Sequence, residues 1–191
     1  MQLTLFDMPE DQHDPGGKVR TRLPPDVQGD AVFSSCRRYR PLLRRWMGEK
    51  FPENYVLFIG MNPSTAEGHV NDPTIAREWS FAVREGFSGY VKCNVVDYRA
   101  TKPEMLLAEG ITPASNENLP HILQAASQAG LVILCHGKLN KVLKPYGELV
   151  VKALQADGIY MKCFGINGDG SPKHPLYLRG DAPIVPFLPS I

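Results

Sequence analysis

From residue 54 onward the apolar positions alternate between two patterns. Tyr55 to Ile59 is an unbroken apolar run closed by Gly60, the mark of a strand buried on both faces. Residues 74–86 then carry Ile75, Trp79, Phe81 and Val83 at helical spacing, with Gly86 as terminator. A second strand is predicted over 89–96, helices over 103–109 and 116–128 (Asn116 as the N-cap), and a third buried strand over 131–135. A helix around 149–156, a turn at Asp157-Gly158 and a fourth strand over 159–164 complete the series. Strands that alternate with helices at this spacing predict an α/β fold of three layers, α/β/α, around a mainly parallel four-stranded central sheet.

Upstream the pattern is weaker. Pro15-Gly16-Gly17, Pro24-Pro25 and Gly29 interrupt any periodicity, so residues 1–30 read as a flexible tail and 31–191 as a single domain. Between residues 34 and 47, Cys36, Tyr39, Leu42, Leu43 and Trp46 fit helical spacing, but Pro41 interrupts it, and a broken helix and a short hairpin both remain open. The 191 residues, 43% hydrophobic and 21% charged, suit one globular core and exclude wholesale disorder. No apolar run reaches the roughly 20 residues of a membrane span, and the first residues lack the order of a signal peptide, so a cytoplasmic protein without membrane attachment is expected. The four scattered cysteines, with no CxxC pair, read as buried free thiols; no metal or cofactor is expected. The net charge of +1 hides an acidic first 17 residues and a basic stretch over 18–50, with nine Lys or Arg against three acids. That stretch offers either a phosphate-attracting surface or arginines paired with carboxylates elsewhere.

In open α/β sheets ligands bind beyond the carboxyl ends of the strands. Those ends carry Gly60-Met61-Asn62-Pro63-Ser64-Thr65-Ala66, then Asn94, then His136-Gly137-Lys138, and a late loop adds Lys173-His174-Pro175-Leu176-Tyr177. Neither GxxxxGK[ST] nor GxGxxG occurs, which disfavours triphosphate and dinucleotide binding.

In combination these segments resemble the motifs of the uracil-DNA glycosylase superfamily: Phe58 to Pro63 its first motif, Tyr90 to Val96 its second strand, Val132 to Lys138 its third, and His174-Pro175 the late His-Pro motif, in family order over about residues 55–178. The whole chain also resembles a bacterial and phage domain with an Asn-Pro-Ser-Thr-Ala signature to which no activity is attached. The glycosylase resemblance implies a DNA base-processing hydrolase that flips a uracil-like or modified base and cleaves its N-glycosidic bond. It implies Asn62 and His174 as catalytic residues, Asn62 positioning water and His174 donating to the departing base. It implies Gly60, Met61, Pro63 and Asn94 as the base-binding set, Asn94 offering both a donor and an acceptor. Lys173, Leu176, Tyr177, Arg179, Arg37 and Arg38 would then contact DNA, Leu176 or Tyr177 filling the vacated stack. Asn62 stands where active members often carry an acid, and an amide is a very poor base; Glu67 and Asp72 lie downstream.

At the N-terminus, Gln2-Leu3-Thr4-Leu5-Phe6 resembles the peptide with which bacterial repair proteins grip the replication sliding clamp, with Gln2, Leu3, Leu5 and Phe6 as its contacts. Two alternatives remain: a non-catalytic nucleic-acid or modified-base binding protein recruited by that clamp, and an enzyme acting on free nucleotides.

Overall fold

The computed structural model describes residues 20–188. Its strands are β1 (Thr21–Arg22), β2 (Val27–Val32), β3 (Leu42–Met47), β4 (Val56–Gly60), β5 (Val70–Asn71), β6 (Gly89–Asn94), β7 (Leu131–Leu134), β8 (Met161–Cys163) and β9 (Val185–Pro186). Its helices are α1 (Pro73–Arg84), α2 (Asn118–Gln128) and α3 (Lys144–Ala156). The α/β class stands, but the sheet is larger and more mixed than expected. Seven strands run in the order β2-β3-β6-β4-β7-β8-β9. The four strands foreseen in the sequence, β6-β4-β7-β8, are mutually parallel, while β2, β3 and β9 join antiparallel at the edges.

The alternation of the central strands divides the core in two. Leu57, Ile59, Val91, Cys93, Val132 and Leu134 pack with Ile122 and Ala126 of α2 and Val150 and Leu154 of α3. Val56, Phe58, Tyr90 and Ile133 face the other way, onto Ile75, Trp79, Phe81 and Ala82 of α1. Helices therefore cover both faces.

Several local expectations are corrected. Of the two readings left open for residues 34–47 the hairpin is the one found: they supply the connection and second strand of the β2–β3 hairpin, with Asp30 opposite Arg44 and Ala31 opposite Leu43. The strand was hidden because its buried face reads Leu43 then Arg45, placing a charge where an apolar residue belongs. Chain order also begins before residue 31: β1 pairs with β5, and Val27 is buried in the core. The helix expected over 103–109 is a single 3-10 turn, Pro103–Leu107, with only Leu106 buried. The last helix starts earlier, at Lys144, with Pro145 in its first turn. Asn116 does not cap α2; Glu117 holds that position without a side-chain hydrogen bond. Gln2, Leu3, Leu5 and Phe6 lie outside the described residues.

Much of the basic stretch is spent inside the protein. Arg45 is fully buried, and donates from Nε to Asn71 Oδ1 (2.9 Å) and from Nη2 to the carbonyls of Glu67 (2.5 Å) and Val70 (3.0 Å). Arg40, also buried, donates to the Ala66 carbonyl, and Arg99 reaches Glu67 Oε1 at 2.7 Å. Arg44 holds Asp30 through both its Nε and Nη2. Guanidinium forks suit this work because each satisfies several carbonyls from one rigid plane. Arg45→Met should therefore lower unfolding free energy by more than about 3 kcal/mol in urea denaturation, since several buried acceptors lose their donor. A loss below about 1 kcal/mol would mean that the 63–71 connection is held by other contacts.

Candidate functional site

The parallel register sets Gly60 beside Asn94 and Phe58 beside Lys92. Lys92 and Asn94 alternate with Val91 and Cys93, so both point to the α1 side of the sheet at its carboxyl edge. A cavity of about 610 Å³ opens there. Gly60, Met61, Asn62, Asn94, His174 and Leu176, all named from sequence, line it together. They share it with Arg40, Ser64, Thr65, Asp72, Thr74, Lys92, Thr101 and Lys102, among others.

Each wall has a local cause. Asp72 caps α1, its Oδ1 accepting from the Ile75 N–H at 2.9 Å, with Pro73 following. The cap brings a carboxylate to the cavity. Asn62 is pinned by its own amide nitrogen, which donates to the carbonyls of Pro63 (2.9 Å) and Ala100 (2.8 Å), leaving its Oδ1 as an acceptor. His174 sits before the 3-10 turn Pro175–Tyr177, which packs on α1; Arg77 donates to the Leu178 carbonyl, and Arg84 to those of Gly180 and Ala182 at 2.8 Å each. His174 Nδ1 accepts from the Leu176 N–H at 3.3 Å, so the neutral ring carries its proton on Nε2. Burial and the nearby Lys92 charge both lower its pKa, keeping it neutral at pH 7. Gly137, at φ 69°, lets His174 approach, since a Cβ there would meet the histidine Cβ at 3.3 Å.

Beneath the cavity lies a polar cluster. Lys92 Nζ donates to Glu78 Oε1 (2.6 Å), the Tyr90 hydroxyl to Glu78 Oε2 (2.5 Å), and Cys135 Sγ sits 3.3 Å from Glu78 Oε1. Lys92 and Glu78 are 4% and 0% exposed, so the pair is fully withdrawn from water. Burial alone would lower the pKa of Lys92; the net shift is upward, and the Glu78 carboxylate in contact with it is the charge that favours the ammonium. Burial pushes the Cys135 thiol well up, and Cys93 to about 12, so neither is a ready thiolate. Asn94 stands apart. It is 1% exposed, and among the described residues neither its Nδ2 nor its Oδ1 has a hydrogen-bond partner.

Other named residues do not join the cavity wall. Pro63 is buried beside it, its carbonyl accepting from Asn62 and from the Ala100 N–H. Lys173 and Tyr177 are exposed, as is Arg179, which pairs with Asp181. Arg37 lies over Phe33 and pairs with Glu67 at 3.1 Å, while Arg38 is exposed. Glu67, held by Arg37 and Arg99, does not line the cavity; Asp72 does. His136 is buried against the Gly137 carbonyl, and Asp97 accepts from the Ser115 N–H and hydroxyl.

Sequence reading passed over Lys92 and Glu78, although a signal was present. A lysine inside an otherwise apolar strand, and a glutamate on the apolar stripe of α1 between Ile75 and Ala82, each need a buried partner. Arg40 carries no comparable mark, because its burial depends on the path of the hairpin.

A family model described as "Protein of unknown function (DUF1643)" matches residues 38–176, a span that includes every residue lining the cavity. No curated protein and no solved structure matches the chain.

Gly60 is dictated by this geometry, for a Cβ there would lie 2.4 Å from Lys92 Nζ and 2.9 Å from Asn94 Oδ1. Gly60→Ala should cost roughly 1–3 kcal/mol of stability, measured by thermal or chemical unfolding. Unchanged stability would mean that Lys92 and Asn94 have room to withdraw.

Proposed function

Taking as premise that the chain belongs to the DUF1643 family, proteins of unknown function, we propose that its cavity binds a uracil-like heterocycle and hydrolyses the N-glycosidic bond joining it to a sugar. The observation that carries this reading is Asn94, whose buried amide lacks partners at the wall of a cavity shared with His174, Asn62 and Asp72. A buried unsatisfied polar group costs about 1–3 kcal/mol, which a ligand offering a carbonyl beside an N–H would recover.

The chemistry follows from the residues. Asn94 Nδ2 donates to a ring carbonyl while its Oδ1 accepts the ring N–H. Water, oriented by Asn62 Oδ1 and deprotonated by Asp72, attacks the anomeric carbon on the face opposite the base. The C–N bond breaks with its electron pair passing to the base, and His174 Nε2–H donates to the carbonyl oxygen on which negative charge collects. Asp72 thus supplies the carboxylate that an Asn at position 62 does not, which favours an enzyme over a non-catalytic binder.

Whether the sugar belongs to DNA or to a free nucleoside or nucleotide turns on the surface around the mouth. Tyr177, 89% exposed on the loop that carries His174, suits a duplex contact. A specific observation favours the small substrate: Arg37, Arg40, Arg44 and Arg45 are engaged within the protein, leaving Arg38 as the exposed arginine of that set. For the polymer reading, the Gln2–Phe6 peptide is a proposed handle for a bacterial sliding clamp. Deleting residues 1–7 should abolish co-purification with the clamp, and unchanged retention would remove the handle.

The enzymatic reading is tested with uracil-containing single- and double-stranded oligonucleotides and with deoxyuridine and its monophosphate, scored for free base released. Asn94→Ala should abolish binding with little change in thermal stability. Asp72→Asn and His174→Ala should each slow release by about 10²–10⁴ with substrate affinity retained. Release from no substrate, or equal rates in wild type and both variants, would reject the hydrolase.

A further inference from the structure

We infer that Lys92 is a third reader of the ligand, so that the cavity selects heterocycles with an imide edge, carbonyl–N–H–carbonyl, over amino-bearing bases. The inference rests on the base-binding reading of Asn94 and adds the substrate class.

Lys92 and Asn94 are two residues apart on one strand and face the same way, and both border the space above Gly60: a Cβ at Gly60 would meet Lys92 Nζ at 2.4 Å and Asn94 Oδ1 at 2.9 Å. Oδ1 is thus the amide atom of Asn94 on the Gly60 side, where Lys92 Nζ also lies, and an amide N–H₂ in its place would be repelled by the ammonium. The order of groups is donor (Lys92 Nζ–H), acceptor (Asn94 Oδ1), donor (Asn94 Nδ2–H). An ammonium has three protons. Among the described residues, Glu78 takes one at 2.6 Å and the Cys135 sulfur lies at 3.8 Å, so at least one remains for the cavity that Lys92 lines. Glu78, held by the Tyr90 hydroxyl, fixes the ammonium in place.

The complement of donor–acceptor–donor is acceptor–donor–acceptor, the edge of uracil and thymine. Cytosine presents an amino group and an unprotonated ring nitrogen on that edge. It would set donor against donor and acceptor against acceptor, on side chains that are only 4% (Lys92) and 1% (Asn94) exposed.

The probes are free uracil, N3-methyluracil, cytosine, 2-thiouracil and 4-thiouracil, titrated calorimetrically. Wild-type protein should bind uracil at least about a hundredfold more tightly than N3-methyluracil or cytosine. Lys92→Met alone strands a buried carboxylate, so the variant used is Lys92→Met with Glu78→Gln, which removes both charges and keeps a partner for Tyr90. It should lose about ten- to a hundredfold in uracil affinity with cytosine affinity unchanged or increased. An unchanged uracil-to-cytosine ratio in the folded double variant overturns the role of Lys92. Should that variant fail to fold, the thiouracils decide on wild-type protein, because a thiocarbonyl accepts hydrogen bonds poorly. Weakening at both positions supports three readers, and weakening at one position or neither overturns it. Uracil binding that Asn94→Ala abolishes, with a ratio indifferent to Lys92, sinks this inference and leaves the base-binding reading intact; no binding of any base by wild type sinks both.

Discussion

The buried ion pair between Lys92 of β6 and Glu78 of α1 is the constraint around which this protein is organised. Glu78 is fully buried and Lys92 only 4% exposed, and removing two ions from water costs several kcal/mol per ion unless their hydrogen bonds are replaced. The replacement is thorough on the carboxylate side, where Lys92, Tyr90 and Cys135 converge on Glu78. It is incomplete on the lysine side, where the ammonium borders the cavity. A pair of this kind is poor evidence of stability, because well-packed apolar residues of similar volume would often serve as well or better. Its worth lies in placing a fixed positive charge at the floor of a cavity that also presents amides, hydroxyls, the Asp72 carboxylate, His174 and the cations Arg40 and Lys102. The same pair explains why Gly60 is a glycine and why His174, close to that charge, is disfavoured from taking a second proton.

A second group of charges works at the rim of the fold. The connection between β4 and α1 is irregular backbone, and its carbonyls need donors once buried. Arg40 and Arg45 provide them and Arg99 grips the Glu67 carboxylate, so residues distant in the chain hold the segment that presents Ser64, Thr65 and Asp72 to the cavity. In a stretch that looks like a nucleic-acid surface by charge count, Arg40 and Arg45 are interior scaffolding, while Arg37 and Arg44 pair with Glu67 and Asp30. Net charge and charge runs inform association and solubility, but they do not reveal which side chains are solvated.

For the central sheet, the local pattern was sufficient. Apolar runs ending at Gly60 and His136, a third interrupted only by Lys92, and the short segment over 159–164 mark the four strands that form the parallel centre. Edge strands were less legible because their alternation is broken by polar residues with tertiary partners, Arg45 most clearly. The cavity was legible in part: Gly60, Met61, Asn62, Asn94, His174 and Leu176 sit at strand ends or in the late loop, where ligands gather in such sheets. Asp72 stood out only as a carboxylate downstream of Asn62, Arg40 was missed because its burial depends on the path of the hairpin, and Lys92 was missed although a lysine in an apolar strand needs a buried partner.

The sequence by itself determined the α/β class, the four segments that form the central strands, the α1 helix and the polar residues at the strand ends, because hydrophobic period and turn chemistry are properties of adjacent residues. Only the tertiary structure decided that β2, β3 and β9 extend the sheet, that the arginines turn inward, and that Lys92 stands beside an unpartnered Asn94 over Gly60. Those outcomes depend on register and on contacts between segments far apart in the chain, where a single buried charge is satisfied or not according to what the fold brings against it.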